Sequence, residues 1–166
     1  SPTEIKLPEL GTVSGMSGGK DDEDIYYTFS SFLYPPTIFK FNIPSGKAEP
    51  YFQTEFKFNP KDYVSKQVFY QGKDGKKISM FLVHKKGLKS DGQNPCYLYG
   101  YGGFNISMVP QYSPSRLLLI ENGAVFAMPN IRGGGEYGEN WHKAGMMDKK
   151  QTVFNDFIAA AEYLIN

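Results

Sequence analysis

Three glycine-bearing segments and two isolated side chains carry residue types that could do chemistry. The first segment, Gly15-Met16-Ser17-Gly18-Gly19, satisfies G-x-S-x-G, the pattern that sets a nucleophilic serine on a strained turn between a buried strand and a helix. Its surroundings do not suit that role. No apolar strand leads in, and Lys20-Asp21-Asp22-Glu23-Asp24 follows where a helix would start, so Ser17 is expected in a flexible loop without a catalytic part. The second, Gly133-Gly134-Gly135-Glu136-Tyr137-Gly138, satisfies G-x-G-x-x-G, in which glycines let a pyrophosphate approach a helix N-terminus. Here Glu139 to Gly145 form no clear amphipathic helix, the preceding strand is not the first of its unit, and nearby acids would crowd a phosphate. A tight structural loop is the better reading, with Arg132 and Glu136 holding it as an ion pair. The third, Tyr99-Gly100-Tyr101-Gly102-Gly103-Phe104-Asn105, directly follows an apolar run. Loops at the carboxyl ends of strands form the binding crevice of α/β sheets, and glycines there allow close approach to a ligand. This loop is the strongest functional candidate, because a tyrosine hydroxyl in it could donate a hydrogen bond to a developing oxyanion. The alternative is a strand-end turn whose aromatics pack on the core. His142 has no suitably placed serine beside it and reads as structural or exposed. Cys96, in an apolar run, reads as an inert buried thiol.

The elements that would position these residues fall into two kinds. From Glu23 to Phe41, Ile25, Tyr27 and Phe29 alternate with Tyr26, Thr28 and Ser30, and Thr37 to Phe41 follows across Tyr34-Pro35-Pro36, which predicts a hairpin. Residues 15–24 show no apolar period and read as a loop, and Asn42 to Gly46 reads as a turn. Such strands occur in sandwiches and in propeller blades, and no complete internal repeat decides between them. The pattern breaks near Phe58 to Asp62. Beyond it, Ser65 to Tyr70 and Ile78 to His84 flank Lys73-Asp74-Gly75-Lys76, a hairpin signal. Cys96 to Tyr99 and Ala124 to Met128 do not alternate, as expected of strands buried on both faces. Between them a helix is predicted, with Ser113 as N-cap, Pro114 first, Leu117, Leu118 and Ile120 inward, and Gly123 at its end. A last helix over 152–165 would bury Phe154, Phe157, Ile158, Ala161, Leu164 and Ile165. An all-β first third therefore precedes the opening of an α/β sheet.

Composition bounds the partners. The 166 residues match one ordinary domain, and 18 Lys and Arg against 17 Asp and Glu leave a net charge of +1, which excludes the strongly basic surface that nucleic acid requires. The longest apolar run, Leu117 to Ile120, is far too short to cross a membrane, so no membrane partner is expected. One cysteine and two histidines give neither an internal disulfide nor a metal cluster, and no cofactor is expected. Ser1-Pro2-Thr3-Glu4 carries no initiator Met and no targeting segment. These features predict a fragment of a cytoplasmic protein.

Several of these segments occur together and in a fixed order: Asp74-Gly75, Met80 to Gly87, Tyr99-Gly100-Tyr101-Gly102-Gly103-Phe104, Asn130 to Gly138, and Trp141-His142-Lys143. In that order they closely resemble the prolyl oligopeptidase family. The resemblance implies a partial α/β hydrolase, the first strands and helices of its sheet, preceded by all-β strands from the end of a seven-bladed β-propeller. Residues 1–57 would be the terminal part of the propeller and residues 58–166 the N-terminal part of the main hydrolase segment. It further implies a serine-type endopeptidase that cleaves short peptides on the carboxyl side of proline with a Ser-Asp-His triad, monomeric at full length. Tyr101 would be the oxyanion-hole tyrosine, partnering the backbone N–H that follows the nucleophile. Phe104 would be a wall of the S1 pocket, its flat ring suited to a pyrrolidine. The chain stops at Asn166, before the positions of the family's nucleophile, acid and base. The 166 residues alone are thus expected to be inactive and poorly stable. A non-catalytic binding or scaffold fragment is the alternative.

Overall fold

A computed structural model describes residues 4–55 and 57–166. Ser1 to Thr3, part of the stretch read as carrying no targeting segment, and Phe56, inside the expected propeller part, lie outside them. The chain divides into two compact units, residues 1–61 with 109–114, and residues 62–108 with 115–166.

The first unit is an antiparallel sheet of four strands in sequential order: β1 (Thr12–Ser17), β2 (Asp24–Ser30), β3 (Thr37–Asn42) and β4 (Lys47–Gln53). The alternation seen in the sequence sets the register of β2 on β3, from Asp24 opposite Asn42 to Phe29 opposite Thr37. It sends Tyr27, Phe29, Phe39 and Phe41 into one buried cluster, where Tyr27 and Phe39 stack at 5.5 Å. Asn42 closes the following turn by accepting hydrogen bonds at Oδ1 from the Ser45 backbone N–H (3.1 Å) and hydroxyl (2.7 Å). The loop expected over 15–24 is corrected in its first part: Gly15, Met16 and Ser17 belong to β1. That strand has no apolar period because it is an exposed edge, held by its backbone ladder to β2 and interrupted by a bulge between Ser14 and Ser17. For the same reason β4, exposed throughout, carries no sequence signal. Ser17 sits on an exposed antiparallel strand that turns into another strand, so the strand-to-helix elbow its motif requires is not built here.

In the second unit, β5 (Tyr63–Gln71), β6 (Lys77–Lys85), β7 (Cys96–Leu98) and β8 (Val125–Pro129) form a sheet in the order β5-β6-β8-β7. The Asp-Gly hairpin joins β5 to β6: Gly75 takes the left-handed conformation (φ 77°), and Asp74 Oδ1 accepts the Lys76 N–H at 3.2 Å. Helix α1 (Pro114–Glu121) crosses over between the parallel strands β7 and β8. It buries Leu117 and Ile120, three residues apart, whereas Leu118, expected inside, points outward and is 62% exposed. β8, between two neighbours, buries Phe126, Ala127 and Met128. β7 lies at the sheet edge, so Cys96 and Tyr97 are exposed; the buried thiol expected at Cys96 is corrected accordingly.

Two further helices follow. α2 (Glu139–Lys143) is a single turn, too short to show amphipathic periodicity, and buries Trp141. α3 (Lys150–Ile165) buries Val153, Asp156, Ala159 and Ala160. The face expected from its large apolar residues is rotated away: Phe154, Ile158 and Ile165 are exposed, with Phe157, Ala161 and Leu164 half-buried. The inner face carries Asp156, fully buried and paired with the buried Arg132. Among the described residues no helix is long and apolar enough to cross a membrane.

Candidate active site

Because β7 and β8 run parallel, the loops after them leave the same edge of the sheet, and two backbones meet there. Gly102 is buried against this second loop: a Cβ on it would stand 2.5 Å from Val153 Cγ1 and 2.6 Å from the Arg132 carbonyl. Gly133 (φ 92°) answers it, since a Cβ there would stand 2.7 Å from the Gly102 carbonyl. No residue with a side chain fits at either place without moving backbone.

Past Gly102 the chain reverses in a tight turn. The Ile106 N–H donates to the Gly103 carbonyl at 3.1 Å, and both central residues, Phe104 (φ 53°) and Asn105 (φ 58°), are left-handed. Positive φ at both centres is the type I′ geometry. Asparagine accepts it readily, but an aromatic residue there stores about 1–2 kcal/mol of strain. In return the Phe104 ring is 85% exposed, set out from the surface rather than into the core. Tyr101, three residues earlier, is 39% exposed. Its hydroxyl has no hydrogen-bond partner among the described residues.

Three contacts fix the loop. The Lys150 ammonium donates to the Gly102 carbonyl. The Asn105 N–H points at both the Gly133 carbonyl (3.3 Å) and His142 Nδ1 (3.2 Å), and that nitrogen is 2.8 Å from the same carbonyl. At the far end, Glu136 Oε1 accepts the Met108 N–H at 2.8 Å and Asn130 Nδ2 at 3.3 Å, while Asn130 Nδ2 also donates to the Met108 carbonyl at 2.7 Å. The ion pair expected between Arg132 and Glu136 is therefore corrected. Glu136 Oε1 is occupied by backbone and amide donors, and Arg132 turns to two aspartates instead.

Arg132 is the anchor beneath the site. Its Nε and Nη2 donate to the two carboxylate oxygens of Asp156 at 2.8 and 2.5 Å, and its backbone N–H adds a third bond at 3.1 Å. Nη1 and Nη2 reach Asp74 at 2.5 and 3.0 Å. Hydrogen bonds donated to both aspartates, that to Asp156 foremost, hold the guanidinium proton more tightly than usual, and the guanidinium in turn keeps the Asp74 carboxyl below the ordinary carboxylate range. Tyr70, whose hydroxyl donates to the Asp156 carbonyl at 2.9 Å, has its phenol pushed strongly upward by burial. The first residues of the second loop are thus tied to helix α3 and to the β5–β6 hairpin.

The structure places both residues singled out from the sequence, Tyr101 and Phe104, on one loop, each reachable from solvent. Left unrecognised were Asn105, Lys150 and Asp156. Only Asn105 carries a local signal, since asparagine tolerates left-handed backbone; the other two act on partners far along the chain. His142, read as structural or exposed, is half-buried and holds backbone atoms of the loop.

The first unit is a four-stranded antiparallel sheet of the kind that propeller blades and sandwiches use, and the second is a crossover unit with a glycine-lined loop at its strand ends, the opening of an α/β sheet. Residues 2–54 match "Prolyl oligopeptidase, N-terminal beta-propeller domain" and residues 110–166 match "Prolyl oligopeptidase family". The chain belongs to the prolyl oligopeptidase family. It is 57% identical over 161 residues to a prolyl endopeptidase of Elizabethkingia miricola, a match covering 97% of this chain and 23% of that protein. It is 44% identical over 154 residues to prolyl oligopeptidase ophP of Omphalotus olearius, covering 90% and 21%. A solved structure from a study of two prolyl endopeptidases superposes with a TM-score of 0.93 at 48% identity, covering 99% of this chain and 24% of that one. Prolyl oligopeptidase B of Galerina marginata, bound to a 35-residue hydrolysis and macrocyclization substrate, superposes with a TM-score of 0.91 at 38% identity, covering 99% and 23%. The chain thus spans about a quarter of the length of the relatives it matches.

Proposed function

We propose that this chain is the oxyanion and S1 portion of a serine endopeptidase that cleaves short peptides after proline. In this reading residues 1–57 end the propeller and residues from 58 onward begin the hydrolase segment. The 166 residues, about a quarter of the length of the relatives they match, supply in this reading neither the nucleophile nor its acid and base. As the serine adds to the scissile carbonyl, negative charge develops on the carbonyl oxygen. Tyr101, with a solvent-reachable hydroxyl that has no partner among the described residues, donates to it. The proline ring packs against the Phe104 face, where a flat apolar surface meets a flat apolar substituent.

The observation that carries this reading is the strained turn that holds Phe104 out: an aromatic residue at φ 53° and 85% exposure wastes both backbone and burial energy unless something binds it. In the full-length enzyme, Tyr101→Phe should lower kcat by about 10²–10³-fold, the loss typical of one oxyanion donor. An unchanged kcat removes Tyr101 from that role. Phe104→Ala should raise KM for substrates with proline at P1 more than for those with alanine; equal effects on both would take Phe104 out of the pocket.

A further inference from the structure

Of the contacts that fix the loop carrying Tyr101 and Phe104, two reach the residues next to them through different side chains, Lys150 and His142. Lys150 Nζ holds the carbonyl of Gly102, the residue directly after Tyr101. No ion pair engages Lys150 among the described residues; its other neighbour is the Phe154 ring, 6.0 Å to the centroid. Its charge is thus committed to a backbone carbonyl at the oxyanion side of the loop. His142, from α2, reaches the turn on the other side. With a proton on Nδ1 it donates to the Gly133 carbonyl (2.8 Å), which also receives the Asn105 N–H; without one it accepts the Asn105 N–H itself (3.2 Å). Either tautomer ties α2 to the left-handed pair Phe104-Asn105. Without the tie, the strain at Phe104 favours relaxation of the turn and withdrawal of the ring.

We infer that Lys150 and His142 are positioning residues with separate effects, Lys150 setting transition-state stabilisation through Tyr101 and His142 setting proline affinity through Phe104. The inference rests on the roles given above to those two residues. Neither Lys150 nor His142 touches substrate. Each loses about one hydrogen bond to the loop on truncation, for which an effect of about tenfold is expected.

The test is steady-state kinetics of the full-length enzyme with P1-proline and P1-alanine peptides, normalised by active-site titration so that misfolded protein does not count. Lys150→Met should lower kcat about tenfold for both substrates with little change in KM, and Lys150→Arg should restore it. His142→Ala should raise KM for proline peptides about tenfold and leave kcat nearly intact, with His142→Asn, which keeps a polar atom near the Nδ1 position, recovering part of the loss. In a Tyr101→Phe background Lys150→Met should add nothing further, and in a Phe104→Ala background His142→Ala should add nothing further. Tyr101→Phe and Phe104→Ala serve as controls. If these alone leave the kinetics unchanged, the reading of the site falls and the inference with it. If they behave as stated but the two positioning variants depress kcat and KM alike, exchange effects or add fully to the controls, the inference alone is overturned.

Discussion

Removing the Asp156 carboxylate should cost several times more stability than removing that of Asp74, and the structure sets the size of the loss. Asp156 is 0% exposed and accepts three hydrogen bonds from Arg132, two from the guanidinium and one from the backbone N–H. In Asp156→Ala the guanidinium keeps only Asp74, and a buried N–H loses its acceptor. Breaking a buried pair from one side costs about 3–5 kcal/mol, because the remaining charge stays desolvated. Asp74 makes an equally bidentate pair with the same guanidinium, but its side chain is 55% exposed and water can replace it. Pairs at such sites are worth about 0.5–1 kcal/mol. Urea unfolding with a common m-value should therefore separate the variants by a factor of three or more. If Asp156→Ala does not fold, Arg132→Met combined with Asp156→Leu should recover a folded protein more stable than either single variant, since well-packed apolar replacements tolerate the loss of both charges. A cost below about 1 kcal/mol for Asp156→Ala, or an equal cost at Asp74, would refute burial as the deciding factor.

Two further outcomes follow from the same region. Arg132 holds the Asp74 carboxyl below the ordinary carboxylate range, so the unfolded chain takes up the proton first on acidification. The stability difference between the natural protein and Asp74→Asn should hold constant from neutral to mildly acidic pH and vanish only as pH falls through the depressed value. A difference that widens in acid, measured by urea unfolding across pH, would reverse the sign and refute the assignment. Gly102→Ala, whose Cβ would meet Val153 and the Arg132 carbonyl at 2.5 and 2.6 Å, should lower stability by about 1–3 kcal/mol, read as a fall in Tm; no change would mean that the two loops part freely.

Local patterns carried the hairpins and the crossover unit into view. β2 and β3 alternate, β5 and β6 flank an Asp-Gly turn, and β8 reads as a continuous apolar run because its side chains are buried on both faces of the sheet. β1 and β4 were illegible because edge strands are specified by backbone pairing, which leaves side chains free to be polar. The inner face of α3 is not legible in its apolar spacing, since it includes Asp156, whose partner is an arginine 24 residues earlier that no periodicity encodes. Within the site, Tyr101 and Phe104 stood out through a glycine-flanked loop at a strand end. The left-handed turn did not, since phenylalanine has no preference for it and the tertiary clamp imposes it. The role of His142 is hidden because its contacts are backbone atoms, which look identical at every position of a sequence.

The seam between Gly102 and Gly133 also has a mechanical meaning. Most packed surfaces contain side chains that hop between rotamers on picosecond to nanosecond timescales, and such hops absorb small displacements before they spread. Where two glycines face each other there is no rotamer to yield. A push on the exposed Phe104 ring is passed along peptide planes into the Arg132 segment and onward, through three hydrogen bonds, to the middle of α3. Composition alone would rank these glycine runs among the softest parts of the chain; facing one another, they behave as a lever.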